Sequence, residues 1–235
     1  MALLLQYTLI YASVLLLVAL GGCFSERSGI INLGLEGIMV AGALGGALVM
    51  KYMPGLSPAA MVILVVLGSV IFGMVFSLLL AVAAINFNAD QTLIGTAMNM
   101  LATAAATVFV KAINMAEDPN NVASTIQYID QKKAFSIMKI AGFEVNWFMI
   151  ITIVLLIVAN VVLYRTRLGL RLMACGEHPQ AADSVGINVY KMRYIGVLIS
   201  GFLGGLGGIV YITAGVSEWK FENGVAGFGF LALAV

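Results

Sequence analysis

The sequence predicts an all-α, polytopic helical membrane protein with about six full spans and a truncated seventh. Hydrophobic residues make up 62% of the 235 residues and charged residues only 10%, whereas soluble domains are typically about 25% charged. Several apolar runs reach the roughly 20 residues that a spanning helix requires. The runs do not alternate apolar and polar residues, which argues against a membrane β-barrel.

Six apolar runs are long enough to span a membrane, and polar breaks separate them. They cover residues 3–20, 30–50, 58–85, 92–113, 147–164 and 194–214. A seventh run begins at Val225 and has only 11 residues up to Val235, which is too short to span. We therefore expect a single transmembrane domain over residues 1–235, and either the sequence is a fragment or its last element is unfinished here.

Charge and motif content exclude several functional classes. The net charge of +1 gives no support for a nucleic-acid partner, and two cysteines do not suggest a disulfide framework. The chain has no Gly-rich phosphate loop, so we expect no ATP hydrolysis by this chain itself. One histidine and two distant cysteines make no metal site. No cluster of serine, histidine and carboxylate indicates an enzyme.

Two of the runs carry polar residues at helical spacing. Asn32 and Glu36 are four residues apart in the second run, so a continuous helix would place them on one face. In the fourth run, polar or small residues recur every four positions, at Gln91, Gly95, Asn99, Thr103 and Thr107. Such a stripe avoids lipid and either makes interhelical hydrogen bonds or lines a route through the bundle. Glu36 either complements a helix dipole near the aqueous boundary or serves a pathway or packing role.

Residues 165–193 form a polar segment between two long apolar runs. The segment holds five of the twelve basic residues and the only histidine, His178. We expect it to meet water and another protein, with a structural or docking role for His178, because no partner for proton transfer is evident. Basic residues divide evenly between the two sides of the predicted bundle, six to six. The positive-inside rule therefore favours a cytosolic position for this segment only through its arginines.

Two motifs resemble a known family. Residues 26–37, Glu-Arg-Ser-Gly-Ile-Ile-Asn-Leu-Gly-Leu-Glu-Gly, resemble the second-span signature of bacterial ABC-transporter permeases of the branched-chain amino acid/simple-sugar type. The match is closest to the nucleoside (basic membrane lipoprotein-linked) subgroup. Residues 169–187 are similar to the cytosolic coupling segment of that family, in which asparagine usually stands at the position of His178. Asp90 and Gln91, followed by Gly95 and Asn99, also fit the subgroup.

The resemblance implies a permease subunit of an ATP-driven importer for nucleosides or related small polar solutes. It places the chain in the bacterial cytoplasmic membrane, with the N-terminus outside and 165–193 in the cytosol. The implied partners are a second permease subunit, two cytosolic ATPase subunits and an extracytoplasmic substrate-binding lipoprotein. ATP would bind to the partner ATPase, and this chain would hold no cofactor. Family members continue through further spans beyond the matched part.

Two sets of candidate site residues follow. The set for the substrate pathway or helix packing is Asn32, Glu36, Gln91, Asn99 and Thr103. The set that the resemblance assigns to coupling with the ATPase is Arg171, Gly176, Glu177, His178, Pro179, Ala182 and Gly186. Two other functions stay open: an ion-coupled secondary transporter that uses Glu36, and a membrane scaffold that recruits a cytosolic partner through 165–193.

Overall fold

A computed structural model describes residues 2–128, 135–140, 143–213 and 218–234. Six long helices in this part of the chain are apolar enough to cross a membrane. They are α1 (Ala2–Arg27), α2 (Leu35–Tyr52), α3 (Pro58–Ala81), α4 (Gln91–Glu117), α5 (Trp147–Arg165) and α8 (Val189–Thr213). The predicted six-span helical architecture is therefore confirmed.

Shorter elements connect the long helices. They are a π-helical turn (Val82–Asn86), α6 (Arg167–Glu177), α7 (Pro179–Ser184), a 3₁₀ turn (Phe221–Asn223), α9 (Phe228–Leu233) and the strands β1 (Thr125–Gln127), β2 (Ser136–Ile140), β3 (Phe143–Asn146) and β4 (Glu218–Lys220). The strands form two antiparallel pairs, β1 with β4 and β2 with β3. In the first pair Thr125 lies opposite Lys220. This pairing joins the connection between α4 and α5 to the segment after α8.

Helix boundaries follow from local capping chemistry. Asp90 caps α4, since its carboxylate accepts hydrogen bonds from the backbone N–H groups of Thr92 and Leu93 at 2.8 and 3.1 Å. The Asn146 side chain caps α5 in the same way. Pro58 starts α3, where its missing N–H group has no cost because the first helical N–H groups are unpaired anyway.

Helix α8 occupies the centre of the bundle and packs against α1, α2 and α3. Two overlapping Gly-x-x-x-Gly pairs, 201/205 and 204/208, predict a close-packed helix here, and the structure confirms it. A Cβ atom on Gly208 would collide with the backbone carbonyl of Met39 in α2. A Cβ atom on Gly205 would lie 2.7 Å from the carbonyl oxygen of Ser69 in α3. The helices therefore touch through their backbones, which only glycine permits.

Two expectations about the first and second runs were wrong. The first predicted run, 3–20, is shorter than the helix, because α1 continues through Gly21 and Gly22 to Arg27. These two glycines bring α1 into close contact with α8 and with Leu35. The second helix does not begin near residue 30 but at Leu35. Asn32 therefore lies in the turn before α2 and does not share a helix face with Glu36.

The bundle has two recognisable ends. At one end, called the α6 side, are α6, α7 and the π-helical turn, where the Tyr194 hydroxyl of α8 donates to Asn86 at 2.8 Å. At the other end, called the β side, are the two strand pairs and an ion pair between Lys51 and Glu117 with an N–O distance of 3.0 Å. The functional features described next lie between these ends and on the α6 side.

Candidate functional site

The first polar region is the 28–34 turn, which joins the end of α1 to the start of α2. Asn32 Nδ2 donates a hydrogen bond to Ser200 Oγ at 2.8 Å. Ser200 is in the middle of α8, about 16 Å from one end and about 20 Å from the other at the helical rise per residue. The turn therefore reaches into the interior of the bundle and is not a loop at its surface.

The side chains of α4 satisfy the backbone of this turn. Gln91 Oε1 accepts a hydrogen bond from the Ile31 N–H group at 2.7 Å. Asn99 Nδ2 donates to the Leu33 carbonyl at 2.9 Å, and Asn99 Oδ1 accepts from the Gly37 N–H group at 2.7 Å. Unpaired backbone groups are costly inside a bilayer. These two amides therefore hold an irregular backbone where a membrane interior would otherwise forbid one.

Gly95 completes the contact between α4 and the turn. A Cβ atom at Gly95 would lie 2.6 Å from Leu33 Cβ and 3.0 Å from the Gly34 nitrogen. The four-residue stripe predicted on α4 thus has two parts. Its first three members, Gln91, Gly95 and Asn99, contact the 28–34 turn, and the threonines beyond them face elsewhere.

Glu36 caps the broken segment that precedes α9. Its two carboxylate oxygens accept hydrogen bonds from the backbone N–H groups of Gly227 and Gly229, at 2.8 and 2.7 Å. The chain approaches through residues with positive φ at Gly224, Ala226 and Gly227, so it is not helical before Phe228. A carboxylate at the start of a helix is favoured both by the hydrogen bonds and by the helix dipole. Glu36 therefore positions a segment that lies 191 residues away in sequence.

A cavity of about 720 Å³ opens beside Glu36. Its polar lining consists of Glu36, Thr96, Asn99, Thr103, Thr107 and Glu222, and the apolar lining includes Met100, Val108 and Phe230. The cavity therefore follows the second part of the α4 stripe. Its volume lies in the range of cavities that bind small molecules.

Lysines neutralise the carboxylate of Glu222, which lies toward the β side of this cavity. Lys111 Nζ and Lys220 Nζ each lie 2.8 Å from a different oxygen of Glu222. Hydrogen bonds from these lysines, Lys111 first, lower the pKa of Glu222 to about 2. Glu222 is consequently ionised and paired at physiological pH.

The α6 side contains the second candidate region, residues 165–193, which folds as α6, a break at His178, and α7. Thr166 caps α6 through the Gly169 N–H group at 3.3 Å, and Pro179 begins α7. Gly176 lies against the 28–34 turn: a Cβ atom there would collide with the Arg27 carbonyl and would lie 3.2 Å from the Gly29 nitrogen. This region therefore rests directly on the turn described above.

Exposure divides the residues of the candidate coupling set into two groups. Ala182 is buried, while Gly176 and Pro179 are half-buried. The exposed members are Arg171, Glu177, His178 and Gly186. One group thus packs the segment onto the bundle, and the other leaves a mixed-charge surface open to solvent.

In the described ranges, no group of three histidine, cysteine, aspartate or glutamate side chains could hold a metal ion.

Comparison with known proteins identifies the family. A family model described as the permease component of branched-chain amino acid transport systems matches residues 4–235. The chain belongs to this permease family. It is 42% identical to the guanosine ABC transporter permease protein NupQ of Bacillus subtilis (strain 168) over 97% of this chain and 72% of NupQ.

Two further relatives come from Lactococcus lactis subsp. cremoris (strain MG1363). The nucleoside ABC transporter permease protein NupC is 39% identical over 96% of this permease and 72% of its own length. The nucleoside ABC transporter permease protein NupB is 23% identical over 94% of this permease and 62% of its own length. No solved structure matches the permease.

Several residues of the site escaped the sequence predictions. Ser200, the partner of Asn32, and Glu222 and Phe230 of the cavity wall were not among the candidate residues, because their roles depend on contacts across the fold. Thr107 belongs to the predicted stripe but not to the candidate set. Its four-residue spacing from Thr103 is the signal that would have included it.

Proposed function

We propose that this permease is a subunit of an ATP-driven importer that carries nucleosides across the bacterial cytoplasmic membrane. A second permease subunit would complete the membrane part, and two cytosolic ATPase subunits would bind and hydrolyse ATP. An extracytoplasmic lipoprotein would deliver the substrate. The names of NupQ and NupC, relatives at 42% and 39% identity, support nucleosides as the substrate class. The occurrence of two permease relatives in one Lactococcus strain supports a second permease partner.

In this proposal the α6 side faces the cytosol and the N-terminus lies outside. The five arginines support this orientation, because they occur at residue 27 and within 165–193, all at or near the α6 side. Basic residues near span ends are enriched on the cytoplasmic side of membrane proteins. The β side would then meet the lipoprotein.

The exposed surface of α6 and α7 is the proposed docking site for an ATPase subunit. Arg171, Glu177 and His178 would make the polar contacts of that interface, with Gly186 exposed at the end of α7. Pro179 and Ala182 would maintain the shape of the segment. Gly176 would pass movement of α6 to the 28–34 turn, because its contact with the backbone of that turn leaves no room for independent motion.

One observation carries this proposal: the 28–34 turn contacts both candidate regions. It touches Gly176 on one side, and on the other it is hydrogen-bonded to Gln91, Asn99 and Ser200. Asn99 also lines the cavity. ATP binding by a partner would bias the bundle between two states through this set of contacts, and alternating access to the cavity would follow.

Transport by the assembled complex tests the proposal. The permease would be purified with the second permease, ATPase subunits and lipoprotein encoded beside it and reconstituted into vesicles that contain ATP. We expect uptake of a radiolabelled purine ribonucleoside that stops when the ATPase is made inactive by mutation. Uptake that continues with the inactive ATPase and follows an imposed ion gradient would contradict the proposal and support ion coupling.

A further inference from the structure

Among the described residues, both charged residues that line the cavity beside Glu36 have bonding partners. Its two charged lining residues are Glu36 and Glu222. Glu36 accepts two backbone N–H bonds, and Glu222 is paired with two lysines. A phosphate group placed here would meet two carboxylates, and the N–H and ammonium groups beside those carboxylates already donate to them. The electrostatics therefore favour an uncharged polar solute over an anion.

Thr107 presents a hydroxyl group that no residue in the described part of the chain uses. Five other threonines in the long helices donate to a carbonyl of their own helix, namely Thr8, Thr96, Thr103, Thr152 and Thr213. Throughout the described ranges, no residue forms a hydrogen bond with the Thr107 hydroxyl. The residue is half-buried on the cavity wall. Its hydroxyl is thus available to a molecule in the cavity, both as donor and as acceptor.

Apolar side chains line the same cavity near this hydroxyl. Phe230 is 48% exposed, Val108 67% and Met100 77%, so their surfaces are open to a ligand. An aromatic ring such as that of Phe230 packs well against the flat face of a heterocyclic base. The cavity thus combines free hydrogen-bonding capacity with an aromatic surface.

We propose that this cavity is the nucleoside-binding site of the membrane pathway. The Thr107 hydroxyl bonds a ribose hydroxyl group, and Phe230 packs against the base. This inference rests on the proposed transport of nucleosides and adds the residues that select the substrate. It assigns selection of the sugar to α4 and selection of the base to α9.

Binding to the complex without its lipoprotein tests the site directly. The purified complex of both permeases and the ATPase subunits would bind a tritiated purine ribonucleoside. Competition by the 2′,3′-dideoxynucleoside, the free base and the 5′-monophosphate would then be measured. We expect the ribonucleoside to compete about five to ten times better than the dideoxynucleoside, the ratio for one neutral hydrogen bond. The monophosphate should compete least.

Variants then assign the contacts. Thr107→Val should weaken ribonucleoside binding about five- to tenfold and leave binding of the dideoxynucleoside unchanged. Phe230→Leu should weaken both. Thr8→Val is the matched control, because the Thr8 hydroxyl bonds only its own helix and the residue is exposed on α1, outside the cavity lining. Co-purification of the partner subunits in the wild-type ratio would show that each variant complex is assembled.

The outcomes separate this inference from the proposed function. Absence of ATP-dependent uptake by the wild-type complex contradicts the proposed function itself. Uptake by the wild type, combined with equal ribonucleoside binding by Thr107→Val and Thr8→Val, overturns the site alone. The site is also overturned if the monophosphate or the free base competes as well as the ribonucleoside. The same holds if the wild-type complex shows no saturable binding of the ribonucleoside.

Discussion

Replacing Glu36 should release the broken segment before α9. In Glu36→Gln the side chain keeps one acceptor oxygen, so one of the two N–H groups, at Gly227 or Gly229, loses its partner. A hydrogen bond to a charged group contributes about 1.5–3 kcal/mol. Glu36→Ala removes both bonds and should cost about 3–6 kcal/mol of local stability.

Amide hydrogen exchange of the peptide that covers 221–233 measures this local stability. Because about 1.4 kcal/mol corresponds to a factor of ten, exchange should become roughly ten to a hundred times faster in Glu36→Gln and faster still in Glu36→Ala. Glu117→Gln is the matched control, since Glu117 has an exposed side chain that pairs with Lys51 on the β side, and a solvent-exposed carboxylate gains little from an ion pair. Exchange within twofold of wild type in both Glu36 variants would refute the capping role.

Uptake by the Glu36→Gln variant separates the two roles considered for Glu36. If Glu36 acts as a cap, Glu36→Gln should reduce ATP-driven uptake without abolishing it, and the remaining uptake should not depend on the proton gradient. As an ion-binding carboxylate, it should lose gradient-driven uptake completely on the same substitution. The two backbone hydrogen bonds favour the capping role.

Three further expectations concern helix packing, cysteine reactivity and the dependence of stability on pH. Gly208→Ala should destabilise the permease by about 1–3 kcal/mol, because the added Cβ atom meets the α2 backbone. Gly22→Ala is the control and should not destabilise it, because its Cβ atom meets only the ends of side chains. Equal thermal unfolding midpoints for the two variants would be inconsistent with this packing. A thiol reagent should modify Cys23 faster than Cys175. Cys23 lines a cavity beside α6, whereas burial raises the pKa of the Cys175 thiol. Preferential labelling of Cys175 would argue against the described packing of α6. The pKa of Glu222 is lowered to about 2, so its ion pairs contribute their full stability above the ordinary carboxyl pKa, and this stability is lost as pH falls through about 2. Glu222→Gln should therefore change the free energy of unfolding by the same amount at about pH 5 and at about pH 8. A different change at the two pH values would show that the ion pairs do not form.

The spans were predictable because each depends on a local property of the sequence. Runs of apolar residues long enough to cross a bilayer mark helices wherever they occur, and the structure has them at α1, α3, α4, α5 and α8. The exception is the start of α2. Ile30, Ile31 and Leu33 are as apolar as the helix that follows, so hydropathy gives no sign of the break at 28–34.

The polar contacts of the site could be foreseen only in part. The stripe on α4 follows from spacing along one helix, and it does face the turn and the cavity. Its partners do not follow from spacing, since Gln91 bonds a residue 60 positions away and Glu36 bonds residues more than 190 positions away. Such bonds exist only once α2, α4 and α9 are assembled, so no local pattern encodes them.

The central claim is that α6 moves the cavity through the 28–34 turn. The most direct test is to measure, for a complex that carries Gly176→Ala, the number of nucleosides transported per ATP hydrolysed. The added methyl group meets the Arg27 carbonyl and should shift α6 relative to the 28–34 turn. Gly22→Ala provides the control, because it adds the same methyl group to a helical glycine without a backbone collision. If α6 moves the cavity through this turn, the complex that carries Gly176→Ala should still hydrolyse ATP on its ATPase subunits but should transport roughly fivefold less nucleoside per ATP than the control complex. An unchanged ratio would contradict the account.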